Sequence, residues 1–541
     1  MRLFNIHRLL VAVLFMMTGG TMAVWSKTVF VAVNGSDTQG DGSFDNPFAG
    51  IVKAQEVVTG GDTVYLRGGT YKMSQSQIHQ YSGIWAYQHH MSKSGLSTSK
   101  RIHYRAYPGE KPIIDMTDVK PTGYRIIVFY VSGSFLHFKG LEIIGTQVTI
   151  KEHTQSECFR NDGGNYNIYE QCVMRDGQAI GFYLLRGSHN LVLNCDAYNN
   201  WDYTSQTGRG GNVDGFGFHC RKGSVGNVIR GCRAWFNSDD GYDCINSSEE
   251  VVFDNCWAFY NGYNAAFQSL GDGNGFKIGG YGQAPSVAGL PNPIPSNLVK
   301  YCMAYRNKAN GFYANHHVET GIRWYHNTAY RNAVNFNMLS QRITKSIKTG
   351  NDTTIDSPGI RHELINNVSL KYGTQRDTLN MGTNINSFNT FSSDYAFAVT
   401  AADFESLSED LLTAPRQADG SLPVNGFLKP VRGSRLIDAG KKVGLTFFGA
   451  APDLGAFEYV PPASTDVVTH RFYLYPNPAT SLVHFNKGNI RRVAVFSCDG
   501  VMLKEVYFSN EINIEFLPVG LFLIEIEDDS KNLSKAKLLK L

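Results

Sequence analysis

Residues 191–200 read LVLNCDAYNN, and four later stretches can be laid over them: VIRGCRAWFN (228–237), FDNCWAFYN (253–261), LVKYCMAYRN (298–307) and RWYHNTAYRN (323–332). Each carries a Cys or Asn (Cys195, Cys232, Cys256, Cys302, Asn327), an alanine two places on, and a closing asparagine (Asn200, Asn237, Asn261, Asn307, Asn332). A fainter copy, NIYEQCVMRD (167–176), adds Cys172 in front. Successive key positions are 23, 37, 24, 46 and 25 residues apart, so a unit near 24 carries insertions at two steps. A repeat of this kind marks a solenoid. Its short, apolar, β-branched segments make it a parallel β-helix rather than a helical array.

A second strand follows each first in constant register: IGFY, DGFGF, DGYD, NGFK, NGFY and VNFN. This stacks Phe182, Phe216, Tyr242, Phe276, Phe312 and Phe336 in one aromatic column, with coils about 4.8 Å apart. The cysteines form another column and are expected to fill space as buried thiols, because stacked strand positions seldom offer disulfide torsions. The closing asparagines are expected to turn the chain and satisfy backbone groups.

The flanks differ in character. The first 23 residues have basic Arg2 and Arg8, an apolar run Leu9–Met17 and small residues Thr21 and Ala23, the pattern of a secretory signal peptide. No cysteine follows the cut to suggest a lipid anchor, and no later stretch is apolar enough to span a bilayer. AGIVKAQEVV (49–58) reads as a short amphipathic helix capping the open end of the solenoid. The solenoid is expected to run over 24–459, closing at its far end near RLIDAG…APDLGAFEY. A linker, VPPASTDVV (460–468), leads to 469–541, whose short alternating segments predict a small β-sandwich. A net charge of +3 on 541 residues gives no reason to expect nucleic acid or an anionic membrane as partner. The 12% aromatics and 55 glycines suit an all-β chain.

The chemistry lies in NSDDGYDCI (237–245). In the strand register Asp214 and Asp240 share a column with Asn274 and Asn310. Asp243 and Lys277 share another, flanked by Gly217 and Tyr313. With Asp239, four carboxylates converge on one patch beside an amine. Unpaired, they would raise one another's pKa values. A hard cation relieves this, and Ca²⁺, with 6–8 oxygen ligands and tolerance of irregular geometry, fits. Zinc does not, since no histidine or cysteine is expected in the outward columns of the patch. A metal beside a lysine points to β-elimination in a uronic acid polymer. The cation neutralises the carboxylate on C5, and Lys277 removes the C5 proton. An alkaline optimum is expected.

These motifs, NVDGFGF, NSDDGYDC and GNGFKIGG, resemble family 9 of the polysaccharide lyases, right-handed parallel β-helices acting on pectin backbones. The resemblance spans about Lys27 to Tyr459 and implies Asp214, Asp239, Asp240 and Asp243 as calcium ligands and Lys277 as base. It admits homogalacturonan and rhamnogalacturonan I as substrates, and aromatic insertions (Trp201, Tyr203, Tyr263) tip the reading towards the latter. Arg209, Arg221, Lys222, Arg306 and Arg331 are candidates for further substrate carboxylates. The pairs His89–His90 and His316–His317 lack a further ligand at metal-binding spacing. The tail, with YPNP, a DG turn, LPVGLFLIEI and a basic end, resembles the C-terminal sorting domain of the type IX secretion system. It implies export machinery as a partner and a secreted or cell-surface monomer acting on acidic plant cell-wall polysaccharide. Two alternatives are an inverting polygalacturonase, whose NTD, GHG and RIK motifs are missing here, and a non-catalytic glycan-binding β-helix.

Overall fold

The computed structural model describes residues 26–541 except 153–154, 206, 282–289, 396–397, 462–473, 487, 498–500 and 530–532. The signal-peptide segment and most of the linker lie outside the described residues. The chain divides into two compact units, one ending at Val460 and one beginning at Pro461.

The first unit is a parallel β-helix with three sheets rather than the two strand columns visible in the repeat. One sheet has 12 strands, from Thr28–Val31 to Ile385–Ser387. The second has 10, from Gly69–Lys72 to Val368–Leu370, and the third has 11, from Gln80–Ser82 to Arg376–Leu379. Each repeat contributes its first half to the first sheet and its alanine-centred half to the second. Ala197, Ala234, Ala258, Ala304 and Ala329 are in direct register. A left-handed residue makes the corner between them, such as Asn194 (φ 55°), Asn255 (φ 52°) or Tyr301 (φ 54°). The cysteine that follows each corner points inward.

The alternation of Cys and Asn in the repeat now has a cause. The Cys172 backbone N–H donates to Cys195 Sγ at 3.4 Å, Cys195 to Cys232 at 3.3 Å and Cys256 to Cys302 at 3.4 Å. Cys302 then donates to Asn327 Oδ1 at 3.0 Å, and Asn327 to Asn367. Sulfur and amide oxygen thus serve as interchangeable acceptors for the same corner N–H. All eight described cysteines are buried and free.

The closing asparagines form a fully amide ladder. Nδ2 of Asn200, Asn237, Asn261 and Asn307 donates to Oδ1 of the next member at 2.9–3.1 Å. Replacing Asn261 by Leu leaves the buried Asn237 N–H without its acceptor and removes the side-chain donor from Ala234 O and from Asn307 Oδ1, which keeps only the backbone N–H of residue 261. Buried groups left unpaired cost about 1–3 kcal/mol each. The variant is expected to lose at least about 2 kcal/mol of stability in denaturant titration; an unchanged midpoint would contradict the ladder's role.

The helix, Ile51–Val57, buries Ile51, Ala54 and Gln55 against the first coils; Gln55 bonds to His90 O and Lys93 N–H. At the far end the expected closure is corrected. The described residues of 398–457 do not cap the solenoid but lie along the outer face of the second sheet. Phe404, Leu412, Leu422, Phe427, Leu436 and Leu454 pack there on Trp257, Phe259, Tyr305 and Tyr330. Arg416 donates to Asp196, and Gln171 Nε2 reaches Asp419 O. The second sheet presents aromatics outward as well as alanines inward, so its outer face needs cover.

The second unit has a three-stranded and a four-stranded antiparallel sheet. Val483, Phe485, Val493, Val495, Ile512, Phe522, Ile524, Ile526 and Leu538 share one core. Its hydrophobic cluster is its own, so truncation from Thr469 is expected to leave the β-helix folded and active. Loss of cooperative unfolding in the truncated protein would show the two units to be one folding unit.

Candidate active site

The site stands on the outer face of the third sheet. Aromatic stacking fixes its register: Phe216 pairs with Tyr242, Tyr242 with Phe276, Phe276 with Phe312 and Phe312 with Phe336. The rings stack inward 4.6–5.2 Å apart. The next residue of each strand must therefore point outward. That column reads Tyr183, Gly217, Asp243, Lys277, Tyr313, Asn337.

The structure brings the expected residues together. Ligand oxygens of Asp214, Asp240 and Asp243 lie within 4.8 Å of one another. Lys277 Nζ sits 3.0 Å from Asp240 Oδ2 and 3.2 Å from Asp243 Oδ2. Asp239 is the outlying member, its Oδ1 accepting the Asp272 N–H at 2.7 Å. All four carboxylates are at most 5% exposed. Burial, then their mutual repulsion, pushes Asp214 and Asp239 well above the usual carboxylate range. Asp240 is raised mainly by burial, with Lys277 opposing. Burial alone would lower Lys277, but Asp240, Asp243, Asp239 and Asp214 outweigh it and hold the ammonium well above its ordinary range.

A hard divalent cation fits this donor set. The oxygens carry more negative charge than one ammonium balances. Asp240 Oδ2, fully buried, accepts no hydrogen bond among the described residues, because the ammonium beside it is out of line. Its other oxygen is fixed by the backbone N–H and Nδ2 of Asn274, at 2.7 and 2.8 Å. Asn274 in turn accepts from Asn310 Nδ2 at 2.7 Å. An amide ladder therefore holds Asp240 so that one oxygen faces the cluster. The column position of Asn274 and Asn310 follows from the strand register, and their task from these hydrogen bonds.

Two other expectations change. His219 does lie beside the patch: it is half-buried, its ring is tilted 55° against Tyr183, and its buried Nε2 is 4.0 Å from Asp243 Oδ1 without a hydrogen-bond partner among the described residues. Burial keeps its pKa low. It follows the inward Phe218 by one position, so alternation alone points it outward. Arg306 and Arg331 do share a corner column, but both bond Glu409 of the overlying stretch, at 2.7 and 2.6 Å. One carboxylate thus holds both guanidinium groups and balances one of their two charges. Arg209, Arg221 and Lys222 are exposed on loops around the sheet. His89 stacks on Phe129 and bonds Val128 O, and His317 bonds Thr320, both structural contacts. Upstream on the same sheet, unnoticed in the sequence, Arg160 pairs with buried Glu157 and lies 4.0 Å from the Trp85 ring centroid.

Comparison with known proteins agrees with this geometry. Residues 29–355 match the family described as "Pel9A-like, right handed beta helix region", and residues 473–540 match the "Secretion system C-terminal sorting domain". Pectate lyase L of Dickeya chrysanthemi is 31% identical over 449 residues, covering 81% of this chain and 92% of that protein. A solved rhamnogalacturonan lyase is 44% identical with a TM-score of 0.70, covering 75% of this chain and 97% of its own. Pectate lyase Pel9A is 29% identical with a TM-score of 0.64, covering 80% and 96%. With the repeat, the three-sheet coil and the carboxylate–lysine column all in place, the chain belongs to the Pel9A-like family of right-handed β-helix proteins.

Proposed function

We propose that this protein is a secreted or cell-surface polysaccharide lyase that cleaves a galacturonate-containing pectin backbone by calcium-assisted β-elimination. The observation that carries the reading is Lys277 seated in register with Asp243, beside the buried cluster of Asp214, Asp240 and Asp243. Asp214, Asp239, Asp240 and Asp243 would hold the cation. Bound there, calcium supplies compensation for the carboxylates and for the substrate's uronate, easing charge build-up on C5.

The chain's own groups do the rest. Lys277, in its neutral form, takes the C5 proton. The C–H electron pair becomes the C4–C5 double bond, and the C4–oxygen bond breaks with its electrons on the leaving sugar, which gains a proton from solvent. Because the aspartates favour the ammonium, the free base is scarce at neutral pH, and an alkaline optimum follows. The ladder of Asn274 and Asn310 keeps Asp240 oriented while Lys277 changes charge.

An inverting hydrolase is disfavoured. Its two carboxyls stand about 6.5–9.5 Å apart around a water, whereas the three here converge within 4.8 Å. Rhamnogalacturonan I is the preferred substrate, since the similar rhamnogalacturonan lyase shares 44% identity against 29% for Pel9A. The test is digestion of purified homogalacturonan and rhamnogalacturonan I, followed by ultraviolet absorbance of the unsaturated uronide. Reducing ends without absorbance would replace the lyase by a hydrolase; absorbance from homogalacturonan alone would reverse the substrate preference.

A further inference from the structure

At the corner between the second and third sheets lies a cleft of about 210 Å³. Trp201, Tyr203 and Phe236 supply its apolar surface, and Gln147, Gln178 and Asn264 its polar rim. Trp201 is fixed by its Nε1–H donating to Gly208 O at 2.9 Å. Tyr203 stands edge-on to it, 5.7 Å between centroids, and is 58% exposed. Phe236 occupies the left-handed position before Asn237 (φ 51°), a corner conformation it shares with Arg306 and Arg331 in the same column. Gln178 is 2% exposed, yet its Nε2 makes only a 3.4 Å contact with Gln147.

The cleft adjoins the active site through a tight contact. A Cβ on Gly210 would stand 2.1 Å from Ser238 Oγ and 2.9 Å from Trp201 Cδ1. Ser238 immediately precedes Asp239. Trp201 is thus one glycine away from the turn that carries Asp239 and Asp240.

Among the described residues, no lysine, arginine or histidine lines this cleft. The single charged group, Asp176, is engaged by Arg175 and by Asn199 Nδ2. A uronate placed here would meet a carboxylate and lose hydration without gaining a cation, which is unfavourable. A neutral pyranose would lay its C–H face on the aromatic surface and exchange hydroxyl hydrogen bonds with the amides. The volume is below the roughly 300–1,000 Å³ of drug-sized pockets, suiting one sugar rather than a length of chain.

We propose that this cleft is a subsite for one neutral 6-deoxyhexose of the substrate backbone, next to the uronate at the catalytic column. This rests on the reading of the substrate as an alternating rhamnose–galacturonate polymer, and it gives that preference a location on the protein.

The test measures binding by calorimetry in the calcium-loaded full chain carrying Lys277→Ala to stop turnover. The two ligands are a debranched rhamnose–galacturonate oligosaccharide and a homogalacturonan oligomer of equal length. Tyr203→Ala and Trp201→Ala are each expected to weaken the first ligand about tenfold or more and to leave the second nearly unchanged. Tyr203→Phe is expected to bind as the parent does. Calcium affinity, measured alongside, reports whether the site remains intact, and exposed Tyr203 covers the case in which Trp201→Ala unfolds its loop. Unchanged affinity in Tyr203→Ala, or equal losses for both ligands, overturns the subsite. A requirement for neutral side branches on the ligand overturns its assignment to the backbone. If the parent chain with Lys277 intact neither binds nor cleaves the alternating polymer, the substrate reading falls as well; if it does both and only the variants disagree, the subsite alone falls.

Discussion

Lys277→Ala is expected to lose at least the 10²–10⁴-fold in elimination rate typical of a general base, while calcium binding persists or tightens. The two halves have one cause. Nζ lies 3.0 and 3.2 Å from Asp240 and Asp243, so the ammonium now balances part of the charge that a cation would balance. Deleting it removes the proton acceptor and leaves every carboxylate in place. Lys277→Arg is expected to be nearly as inactive, because a guanidinium stays protonated at any workable pH. Asp243→Ala has the opposite signature, weakened calcium affinity with partial recovery of rate in excess metal. Calorimetric affinity and ultraviolet-detected rate on the same variants separate these cases. A rate in Lys277→Ala above about a tenth of the parent's, far short of a general base's share, would transfer the base to another group. His219, half-buried with Nε2 4.0 Å from Asp243, is then the first to test. Arg306, held by Glu409, is not.

What the sequence disclosed follows from how a β-helix stacks. Each coil lies directly on the last, so a residue's column can be counted from the aromatic that anchors its strand. Asp243 and Lys277 were therefore legible as neighbours, although 34 positions separate them. The same counting located Asn274 and Asn310. It did not show that their amides run head to tail into Asp240, since an amide's orientation is set by its partners. His219 was missed because DGFGF was read only to its last phenylalanine; one more outward step reaches the histidine. The stretch 398–457 was misplaced for a different reason. It has no repeat, and its contacts cross large distances in the chain, as in Arg306–Glu409 and Arg416–Asp196. A period carries no information about such a segment. The outward aromatics Trp235, Phe259 and Tyr305 were the available signal that the second sheet must be covered.

Chelation of calcium is expected to reduce turnover at least about a hundredfold, since metal compensation of a carboxylate and its transition state is worth several kcal/mol. Magnesium is expected to restore little, because it demands tighter octahedral geometry. The metal should also set how stability responds to pH. Asp214, Asp239 and Asp240 have raised pKa values in the folded chain, chiefly through burial. Without metal, the folded form keeps protons there that the unfolded form releases near pH 4. These groups must therefore remove stability as pH rises from that range through their folded values. Lys277, raised in turn, contributes stability that is fully present below about pH 10.4 and lost only above it. Between pH 5 and 8 it is constant, and the carboxylates govern the slope. Paired carboxylates elsewhere, such as Glu170 and Asp196, have lowered values and act oppositely at lower pH. The site is isolated by comparing the parent with Asp214→Asn. The metal-free parent should lose Tm relative to Asp214→Asn as pH rises from 5 to 8. Calcium competes with those same protons, so its stabilisation of the parent, about 2.7 kcal/mol at a hundredfold excess over Kd, should be larger at pH 8 than at pH 5 for a fixed concentration. A calcium-induced Tm shift of equal size at both pH values would mean that the cation does not bind among these carboxylates. The cluster would then be a charged wall held by Lys277 alone, and the elimination chemistry would have to proceed without it.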